Sequence, residues 1–465
     1  MAFTTLHLQS LVLKGLTASQ YTEPTEVQRK IIVLAKSRGN IVCSAQTGSG
    51  KTLSFVIPIL ERLLELKWTR ADGLGAVIIA PTRELALQIF EVVKAVGRET
   101  NLSGGLLIGG RSVEREKECV SALNLVVCTP GRLLEHLEMG WGFNGDSLEM
   151  LVIDEADKLL EMGFKQTISR ILEYLPRKRQ TLLFSATAEA IGQARKLWDI
   201  SKPEWVIIKE RAEESNRMSE EVWLVDAAQK FDLLYELTKR NLRRKTIVFL
   251  STCKEVTFFH DLFKGLRLGV PVLRLNGNMA QTKRVETYHK FCRDEPRMLF
   301  CTDIAARGLD FPGVDLVVQL DAPESVATYV HRAGRTARNG AKGRVVLAVL
   351  EREKDLLSKL SDRPGFPEAK VYASKRTIAG RVQGAIKASP ELYLGAQKYV
   401  KTYAGFMRVS KHGRGPEEAA ALIKELAEYL GVEEDSKVSW SKAGRQKSKL
   451  LNRRITFDDE VEIDE

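Results

Sequence analysis

Residues 45–52, AQTGSGKT, have the composition and the context of a phosphate-binding loop, because they follow a β-branched run and precede the apolar run LSFVIPIL. Glycines let the backbone curl so that several N–H groups face one phosphate chain, and the start of the next helix adds partial positive charge. The strict pattern begins with Gly where this chain has Ala45, so a glycine-rich surface loop is the alternative. The residues predicted to bind nucleotide here are Gln46, Thr47, Gly48, Ser49, Gly50, Lys51 and Thr52.

Two carboxylates follow the apolar run LVI at residues 151–153. Asp154 suits the coordination shell of Mg²⁺, which the Thr52 hydroxyl would share. Glu155 is placed to polarise a water for attack on a γ-phosphate, and Lys51 would reach the terminal phosphates. An acidic helix cap is the alternative interpretation of this pair, and the presence of GSGKT argues against it.

A third group of charged residues lies in HRAGRTAR, residues 331–338, where Arg332, Arg335 and Arg338 recur at a spacing of three. Guanidinium groups bind phosphate oxygens in a bidentate manner. The alternative is an exposed basic helix face. If the two halves of the chain close on each other, Arg335 and Arg338 are candidate arginine fingers, which stabilise charge on a transferred phosphoryl group.

The elements that must position these residues are short apolar runs alternating with helical patterns, in two long stretches. Continuous apolar runs are typical of parallel strands buried on both faces, and ligands bind at the carboxyl ends of such strands. The predicted class is therefore α/β, with two parallel-sheet domains in tandem. The predicted strands lie at 40–45, 76–81, 123–130, 151–157, 181–187, 205–208, 246–251, 271–277, 298–303, 314–321 and 343–350.

Composition shifts mark the domain boundaries. The segment KERAEESNRMSE is polar and lacks apolar periodicity, and SDRPGFPEAK carries two prolines and a glycine. Near the C-terminus a basic block precedes an acidic block, which is typical of a solvated, disordered tail. The predicted organisation is a first domain at 1–208, a linker at 209–220, a second domain at 221–365, a small helical extension at 366–432 and a disordered tail at 433–465.

The overall composition excludes several classes of protein. The 465 residues carry 71 basic and 60 acidic side chains, a net charge of +11, which favours an anionic partner such as nucleic acid. No two of the six cysteines stand at CxxC spacing, and the six histidines show no ligand spacing, so neither a zinc site nor a disulfide scaffold is expected. Polar residues interrupt the N-terminal segment, and no apolar run is long enough to cross a bilayer, so we expect neither a signal peptide nor a membrane anchor.

Over residues 3–350 the chain resembles the DEAD-box family of ATP-dependent RNA helicases, which implies two RecA-like domains. The motifs that carry the resemblance stand in the family's order. They are Tyr21, Pro24-Thr25, Gln28, AQTGSGKT (45–52), PTREL (81–85), Gly109-Gly110, TPGR (129–132), DEAD (154–157), SAT (185–187), IVFLST (247–252), CTDIAARGLD (301–310) and HRAGRTAR (331–338).

The resemblance implies roles around ATP and Mg²⁺. Gln28 would read the adenine edge, Phe3 would stack on adenine, and Thr25 would hold the phosphate loop. Tyr21 stands with Gln20 where the family usually has Gly-Phe, and Asp303 would contact the ribose or γ-phosphate side. Ala337 replaces a more usual glycine. Hydrolysis and unwinding would be coupled by Ser185 and Thr187, with His331 as their partner.

The resemblance also implies RNA contacts, made mostly to the sugar-phosphate backbone, with the 2′-hydroxyls selecting RNA over DNA. Glycine N–H groups and helix starts suit phosphates. The candidates in the first domain are Arg83, Gly110, Thr129, Gly131 and Arg132. Those in the second domain are Gly277, Arg284, Thr302, Arg307 and Gly308.

The segment after the second domain combines ten basic residues with one acid and interleaved aromatics over 370–414. Tyr399, Tyr403 and Phe406 follow helical spacing, which favours a core stripe over a base-stacking platform. The bases are as compatible with RNA binding as with a plain solvated face. LGAQKYVKTYAGFMR resembles the extension of nucleolar DEAD-box proteins, which implies work on pre-ribosomal RNA in the nucleus and nucleolus, with the cytoplasm as the alternative.

The sequence thus predicts a monomeric RNA-dependent ATPase that unwinds short RNA duplexes. The alternative is an ATP-gated RNA clamp, in which closure holds RNA and unwinding is incidental. Both interpretations use the same motifs. The sequence leaves open whether an activating protein cofactor is needed.

Overall fold

The computed structural model describes residues 2–45, 48–110, 116, 120–140, 145–186, 188–208, 217–303, 311–338, 341–363, 365–373, 376–409 and 416–433. Most of the predicted linker and all of the predicted tail beyond residue 433 lie outside these ranges. The predicted site residues that also lie outside them are Gln46, Thr47, Thr187, Arg307 and Gly308.

The first domain contains a sheet of seven parallel strands in the order β3-β4-β2-β5-β6-β1-β7. Side chains alternate between its faces, so the neighbours Val42 and Cys43 belong to two different core clusters. Because both faces are buried, the central strands have continuous apolar sequences. The strands are β1 (Ile41–Ser44), β2 (Ala76–Ile79), β3 (Gly104–Leu107), β4 (Leu125–Cys128), β5 (Met150–Ile153), β6 (Gln180–Ser185) and β7 (Glu204–Ile207).

Helices cover both faces of this sheet. Several begin soon after the carboxyl end of a strand. One of these, α4 after β2, has a side-chain cap, because the Thr82 hydroxyl accepts from the backbone N–H of Leu85 at 3.3 Å. The helices of the first domain are α1 (Ser10–Ala18), α2 (Glu26–Ala35), α3 (Lys51–Glu65), α4 (Arg83–Gly97), α5 (Pro130–Met139), α6 (Ala156–Glu161), α7 (Lys165–Glu173) and α8 (Ala188–Leu197).

The second domain repeats this architecture, with parallel strands in the order β10-β11-β9-β12-β13-β8-β14. The predicted α/β class with two parallel sheets is therefore confirmed. The strands are β8 (Met218–Leu224), β9 (Thr246–Phe249), β10 (Val272–Leu275), β11 (Met298–Cys301), β12 (Leu316–Gln319), β13 (Gly343–Val349) and β14 (Ala369–Val371). The helices are α9 (Gln229–Arg240), α10 (Cys253–Gly265), α11 (Gln281–Cys292), α12 (Val326–Ala333) and α13 (Lys354–Ser361).

Three further helices form the predicted helical extension: α14 (Ala379–Ala388), α15 (Pro390–Val409) and α16 (Pro416–Leu430). Tyr399 and Tyr403 are buried in the core cluster of the second domain, and Phe406 packs partly buried against it. The prediction that this stripe is core is confirmed. In the part of the chain that the structure describes, no helix has the length and hydropathy needed to cross a membrane.

The structure differs from the predicted boundaries at two places. Strand β8 begins at Met218, so residues 218–220 belong to the sheet rather than to a linker. Strand β14 lies beyond the predicted boundary at 365 and pairs in parallel with β8. Both strands are close to the sheet edge and half-exposed, so their sequences lack the long apolar run of a central strand.

Candidate active site

The phosphate loop has the predicted strand–loop–helix geometry. β1 ends at Ser44 and α3 begins at Lys51, with Gly48 and Gly50 at φ of 87° and 88°, a region that glycine enters without strain. The Lys51 side chain is buried, and its Nζ donates to the carbonyl of Ala45 at 2.8 Å. The ammonium therefore lies within the curl of the loop, where a bound phosphate chain would meet it.

Thr25 and Gln28 support this loop from α2. Thr25 Oγ1 donates to the carbonyl of Ser49 at 2.8 Å, and Gln28 Nε2 donates to the carbonyl of Gly50 at 3.0 Å. Gln28 Oε1 also accepts from the backbone N–H of Thr25 at 2.9 Å, which completes a capping box. Gly50 has a φ of 88°, which glycine adopts without strain, and a Cβ atom there would also lie 2.5 Å from Gln28 Nε2. The expected contact of Thr25 with the loop is thus present, and Gln28 braces the same loop.

The two aromatic residues predicted at the adenine end lie in different surroundings. Tyr21 lines the cavity that extends from the phosphate loop. Phe3 is buried among the core residues of the first domain. The stacking of Phe3 on adenine stays a prediction.

Asp154 and Glu155 follow β5 directly, at the edge of the sheet where the phosphate loop also begins. The backbone N–H of Glu155 donates to Asp154 Oδ1 at 2.9 Å, and Glu155 has a φ of 49°, a left-handed conformation that turns the chain into α6. Burial raises the pKa of both carboxyls, and it is opposed by Lys51 at Asp154 and by His331 at Glu155. Among the described residues, Glu155 Oε2 is buried without a hydrogen-bond partner. A buried acceptor of this kind suits a water or a metal-bound group.

The second domain contributes three residues to the same site. His331 Nε2 lies 2.8 Å from Asp157 Oδ2, and both side chains are buried. Ser185 is buried at the end of β6, and Thr187 lies outside the described residues. The expected partnership of His331 with Ser185 and Thr187 therefore stays a prediction, beside the bond to Asp157.

The two predicted arginine fingers point toward the first domain. A Cβ atom built on Gly48 would lie 3.6 Å from Cγ of Arg338, so the Arg338 side chain lies against the phosphate loop. Arg335 is buried, and its Nε donates to the carbonyl of His331 at 3.1 Å. Both arginines line the cavity that also contains Lys51 and Glu155.

Arg332 and Asp303 pair with each other inside the second domain. Arg332 is buried, so the alternative of an exposed basic helix face does not hold for it. It forms a bidentate ion pair with Asp303, from Nε to Oδ1 at 2.6 Å and from Nη2 to Oδ2 at 2.9 Å. The helix ends at Ala333, so the three arginines cannot share a helical face. The contact of Asp303 with nucleotide stays a prediction.

A cavity of about 930 Å³ joins these groups across the two domains. Its wall contains phosphate-loop residues, both carboxylates and both candidate fingers, together with α4 and α11. This volume is within the range of small-molecule sites. The arrangement places one ammonium, two carboxylates and two guanidinium groups around one space, which is the set that phosphoryl transfer requires.

The RNA contacts predicted in the first domain lie at the carboxyl ends of its strands. A Cβ atom built on Gly110 would lie 2.7 Å from Arg83 Nη1, so the guanidinium covers the glycine turn. Thr129 precedes α5, and Gly131 in its first turn faces open space. Arg132 is buried, with its Nε 2.8 Å from Glu116 Oε2 and its Nη1 2.9 Å from Glu135 Oε2.

In the second domain, Gly277 and Thr302 follow β10 and β11. Arg284 Nη2 lies 2.5 Å from Glu84 Oε1 of the first domain, and Gln281 Nε2 donates to the same oxygen at 3.1 Å. Another bond between the domains joins Gln88 Nε2 to Tyr288 Oη at 2.6 Å. These partners were missed from the sequence, although Glu84 lies within the PTREL motif. All RNA contacts stay predictions.

Comparison with known proteins identifies the family to which each domain is similar. A family model described as DEAD/DEAH box helicase matches residues 25–194, and one described as Helicase conserved C-terminal domain matches residues 229–340. The chain is 40% identical over 458 residues to "ATP-dependent RNA helicase DBP4" of Mycosarcoma maydis, covering 96% of this chain and 50% of that protein. It is 40% identical over 456 residues to "Probable ATP-dependent RNA helicase DDX10" of Homo sapiens, covering 97% and 52%. The chain thus spans about half the length of these relatives.

Solved structures share the two-domain arrangement. Mss116p bound to ssRNA and AMP-PNP superposes with a TM-score of 0.81 at 27% identity, over 92% of this chain and 91% of that one. S. cerevisiae Dbp5 bound to RNA and ADP BeF3 gives a TM-score of 0.70 at 27% identity, over 80% and 96%.

Proposed function

Because the chain belongs to the DEAD/DEAH box helicase family, we propose that it is an ATP-dependent RNA helicase. It binds single-stranded RNA, hydrolyses ATP in an RNA-dependent reaction and locally separates short RNA duplexes. The observation that carries the proposal is that the second domain contacts the catalytic segments of the first. Arg338 lies against Gly48 and His331 bonds Asp157, so the groups for phosphoryl transfer come together only when both domains meet. The relatives described as ATP-dependent RNA helicases support it.

The described residues fit a magnesium-bound nucleotide. Lys51 and the backbone of the glycine loop hold the phosphates, and Tyr21 lines the space for the base. Gln28, whose amide braces the loop in this structure, would read the adenine edge. Thr52 and Asp154 hold Mg²⁺, which neutralises charge on the phosphates when bound. The buried Glu155 accepts the proton of the attacking water.

The second domain completes this site on closure. Arg335 and Arg338 stabilise the negative charge that develops on the transferred phosphoryl group. His331 and Asp157 join the two domains, and together with Ser185 and Thr187 they are the residues that we propose to couple the site to RNA. RNA lies across the strand ends of both domains and therefore favours the closed arrangement, which is how RNA accelerates hydrolysis.

The RNA contacts in this proposal are those predicted from the sequence, at Arg83, Gly110, Thr129, Gly131, Arg132, Gly277, Arg284, Thr302, Arg307 and Gly308. Arg132 and Arg284 exchange acidic partners for phosphates when RNA binds. Both are now paired with carboxylates, so RNA must compete with Glu116 and with Glu84.

We further propose that the RNA is a ribosomal precursor and that the protein works in the nucleus and nucleolus. The support is the extension: its sequence resembles that of ribosome-assembly members, and the two relatives align over 96% and 97% of this chain, a span that includes it. Crosslinking the protein to cellular RNA and sequencing the fragments tests this. Enrichment of ribosomal precursor sequences is the predicted result, and enrichment of messenger RNA alone would contradict it.

Two assays on the full chain test the helicase proposal against the clamp. Single-turnover unwinding of a short duplex should require ATP, and RNA dwell time should be short in the presence of ATP. A protein that holds RNA through many turnovers and releases no strand would be an ATP-gated clamp. A requirement for an activating protein would show as slow release that a cell extract accelerates.

A further inference from the structure

The extension, defined as helices α14, α15 and α16, is part of the core of the second domain. Tyr399 of α15 stacks on Phe258 of α10, with ring centroids 5.1 Å apart. Tyr403 lies one turn further along α15 and is equally buried. A buried tyrosine hydroxyl needs a hydrogen-bond partner, and Tyr403 finds one on the second domain.

That partner is Lys230 of α9, which belongs to a buried ion pair with Asp321 after β12. Lys230 Nζ donates to Asp321 Oδ1 at 2.6 Å and lies 3.1 Å from Tyr403 Oη. The side chains of Lys230 and Asp321 are only 2% and 3% exposed. Buried charges are stable only when further hydrogen bonds satisfy them. The Tyr403 hydroxyl supplies one of these bonds, so the extension helps to fix the ion pair.

Asp321 connects this ion pair to the candidate active site. Its Oδ2 accepts from the backbone N–H of Ser251 at 2.7 Å, which anchors it to the end of β9. Its main-chain carbonyl accepts from Arg332 Nη1 at 2.7 Å. The residue that binds Lys230 through its side chain therefore binds Arg332 through its backbone.

Arg332 in turn fixes the segment that carries the arginine finger. Its guanidinium is bound on the other side by Asp303 and lies 5.3 Å from the centre of the Phe249 ring. Its carbonyl accepts from the backbone N–H of Arg335 at 3.1 Å. A displacement of Asp321 would therefore move the Arg332 side chain and, through the backbone bond between Arg332 and Arg335, the position of Arg335.

We propose that Tyr403 and Lys230 are positioning residues for hydrolysis, because they hold Asp321 and, through Arg332, set the orientation of Arg335. The inference rests on the proposed ATPase function. It gives the extension a role at a distance: the extension stabilises the arginine finger without touching nucleotide. Chains of packed side chains, hydrogen bonds and ion pairs carry energetic coupling between separate sites.

The test is the Tyr403→Phe variant of the full chain, with Tyr399→Phe as the matched control. Each substitution removes one buried phenol oxygen from the same helix, but only Tyr403 bonds Lys230. At saturating RNA, Tyr403→Phe should lower kcat for ATP by about two- to thirtyfold. KM for ATP should stay unchanged, because Lys51 and Gln28 are untouched. The control should keep both constants near wild type.

Hydrogen exchange gives a readout that is independent of activity. The backbone N–H groups of Gly334 and Arg335, which bond to the carbonyls of Val330 and Arg332, should exchange faster in Tyr403→Phe than in wild type or the control. Wild-type kcat and exchange in Tyr403→Phe, or equal changes in both variants, would overturn the inference. Absence of RNA-stimulated hydrolysis in the wild type would instead overturn the proposed function, and the exchange comparison would still decide the structural link.

Discussion

The imidazole of His331 and the carboxylate of Asp157 form one of the hydrogen bonds that join the two domains, with Nε2 2.8 Å from Oδ2 and both side chains buried. Asp157 is the last residue of the DEAD segment, and His331 is the first residue of HRAGRTAR. The bond therefore connects the segment that carries the candidate base to the segment that carries the candidate fingers. Removing one partner leaves the other polar group buried without its hydrogen bond, which costs free energy. Substitution of either residue should therefore weaken closure of the two domains.

Replacing either residue should weaken the coupling between the domains without preventing ATP from binding. We expect His331→Ala and Asp157→Ala each to reduce RNA-stimulated hydrolysis while ATP affinity stays near wild type. The double variant should be little worse than either single one, with a coupling energy of about 0.5–3 kcal/mol in a double-mutant cycle. Strictly additive effects on kcat would show that the two side chains do not act together.

Lys51 should be indispensable for nucleotide binding. Lys51→Ala removes the buried ammonium from the phosphate loop, and the loss of a charge-assisted contact should weaken ATP binding by about 1.5–3 kcal/mol and abolish hydrolysis. Equilibrium titration with a fluorescent ATP analogue measures this. The control is Lys30→Ala on α2, because Lys30 is exposed and its ammonium bonds only a carboxylate on its own helix at 2.9 Å, as far as the described residues extend. An unchanged affinity of Lys51→Ala for ATP would show that Lys51 does not contact the bound nucleotide.

Glu155→Gln should trap a closed state. The amide keeps the shape of the side chain but cannot accept the proton of the attacking water. RNA affinity in the presence of ATP should persist while turnover falls, and RNA should dissociate far more slowly than from wild type. Glu161→Gln, at the exposed end of α6, is the control. Wild-type RNA dissociation rates in Glu155→Gln would show that Glu155 is not the base.

The carboxyl of Glu255 should make stability depend on pH. Burial and the nearby Asp321 raise the pKa of Glu255 well above its usual value, and Lys230 opposes that shift. The folded state then binds a proton that the unfolded state releases, so stability should fall as pH rises between the two pKa values. The slope should be up to about 1.4 kcal/mol per pH unit.

Glu255→Gln tests this directly, because an amide donates a hydrogen bond to Asp321 without taking up a proton. It also keeps an acceptor for the backbone N–H of Thr252, which bonds Glu255 Oε2 at 3.3 Å. Denaturant unfolding at several pH values should show a smaller loss of stability toward alkaline pH in the variant. Parallel curves for variant and wild type would contradict the assignment.

Much of the architecture could be predicted because central parallel strands bury both faces. The runs at 41–43, 76–79 and 150–153 are apolar throughout, and the structure confirms a strand at each. Strand β3 was missed because it begins with Gly104 and Gly105 at the sheet edge. Strand β8 was missed because MSEEVWL is half polar.

The site could be predicted only where local spacing specifies it. The GSGKT loop and the carboxylates after β5 are local patterns, and the structure brings them to one cavity. The bond from Asp157 to His331 joins residues 174 positions apart, and Arg332 pairs with Asp303 rather than facing outward. Such pairings depend on how the two domains dock and on where α12 ends. The sequence pattern specifies neither of these.

The measurement that tests the central claim most directly is the rate of ATP hydrolysis with and without single-stranded RNA, for wild type and for Arg335→Ala. Thermal unfolding and ATP affinity of the variant serve as controls for folding and for the phosphate loop. RNA should stimulate wild-type hydrolysis, and Arg335→Ala should reduce the stimulated rate by roughly a thousandfold while ATP still binds. A wild-type rate that RNA does not change, or a fully stimulated rate in the folded variant, would contradict the proposal that RNA drives a two-domain ATPase site to close.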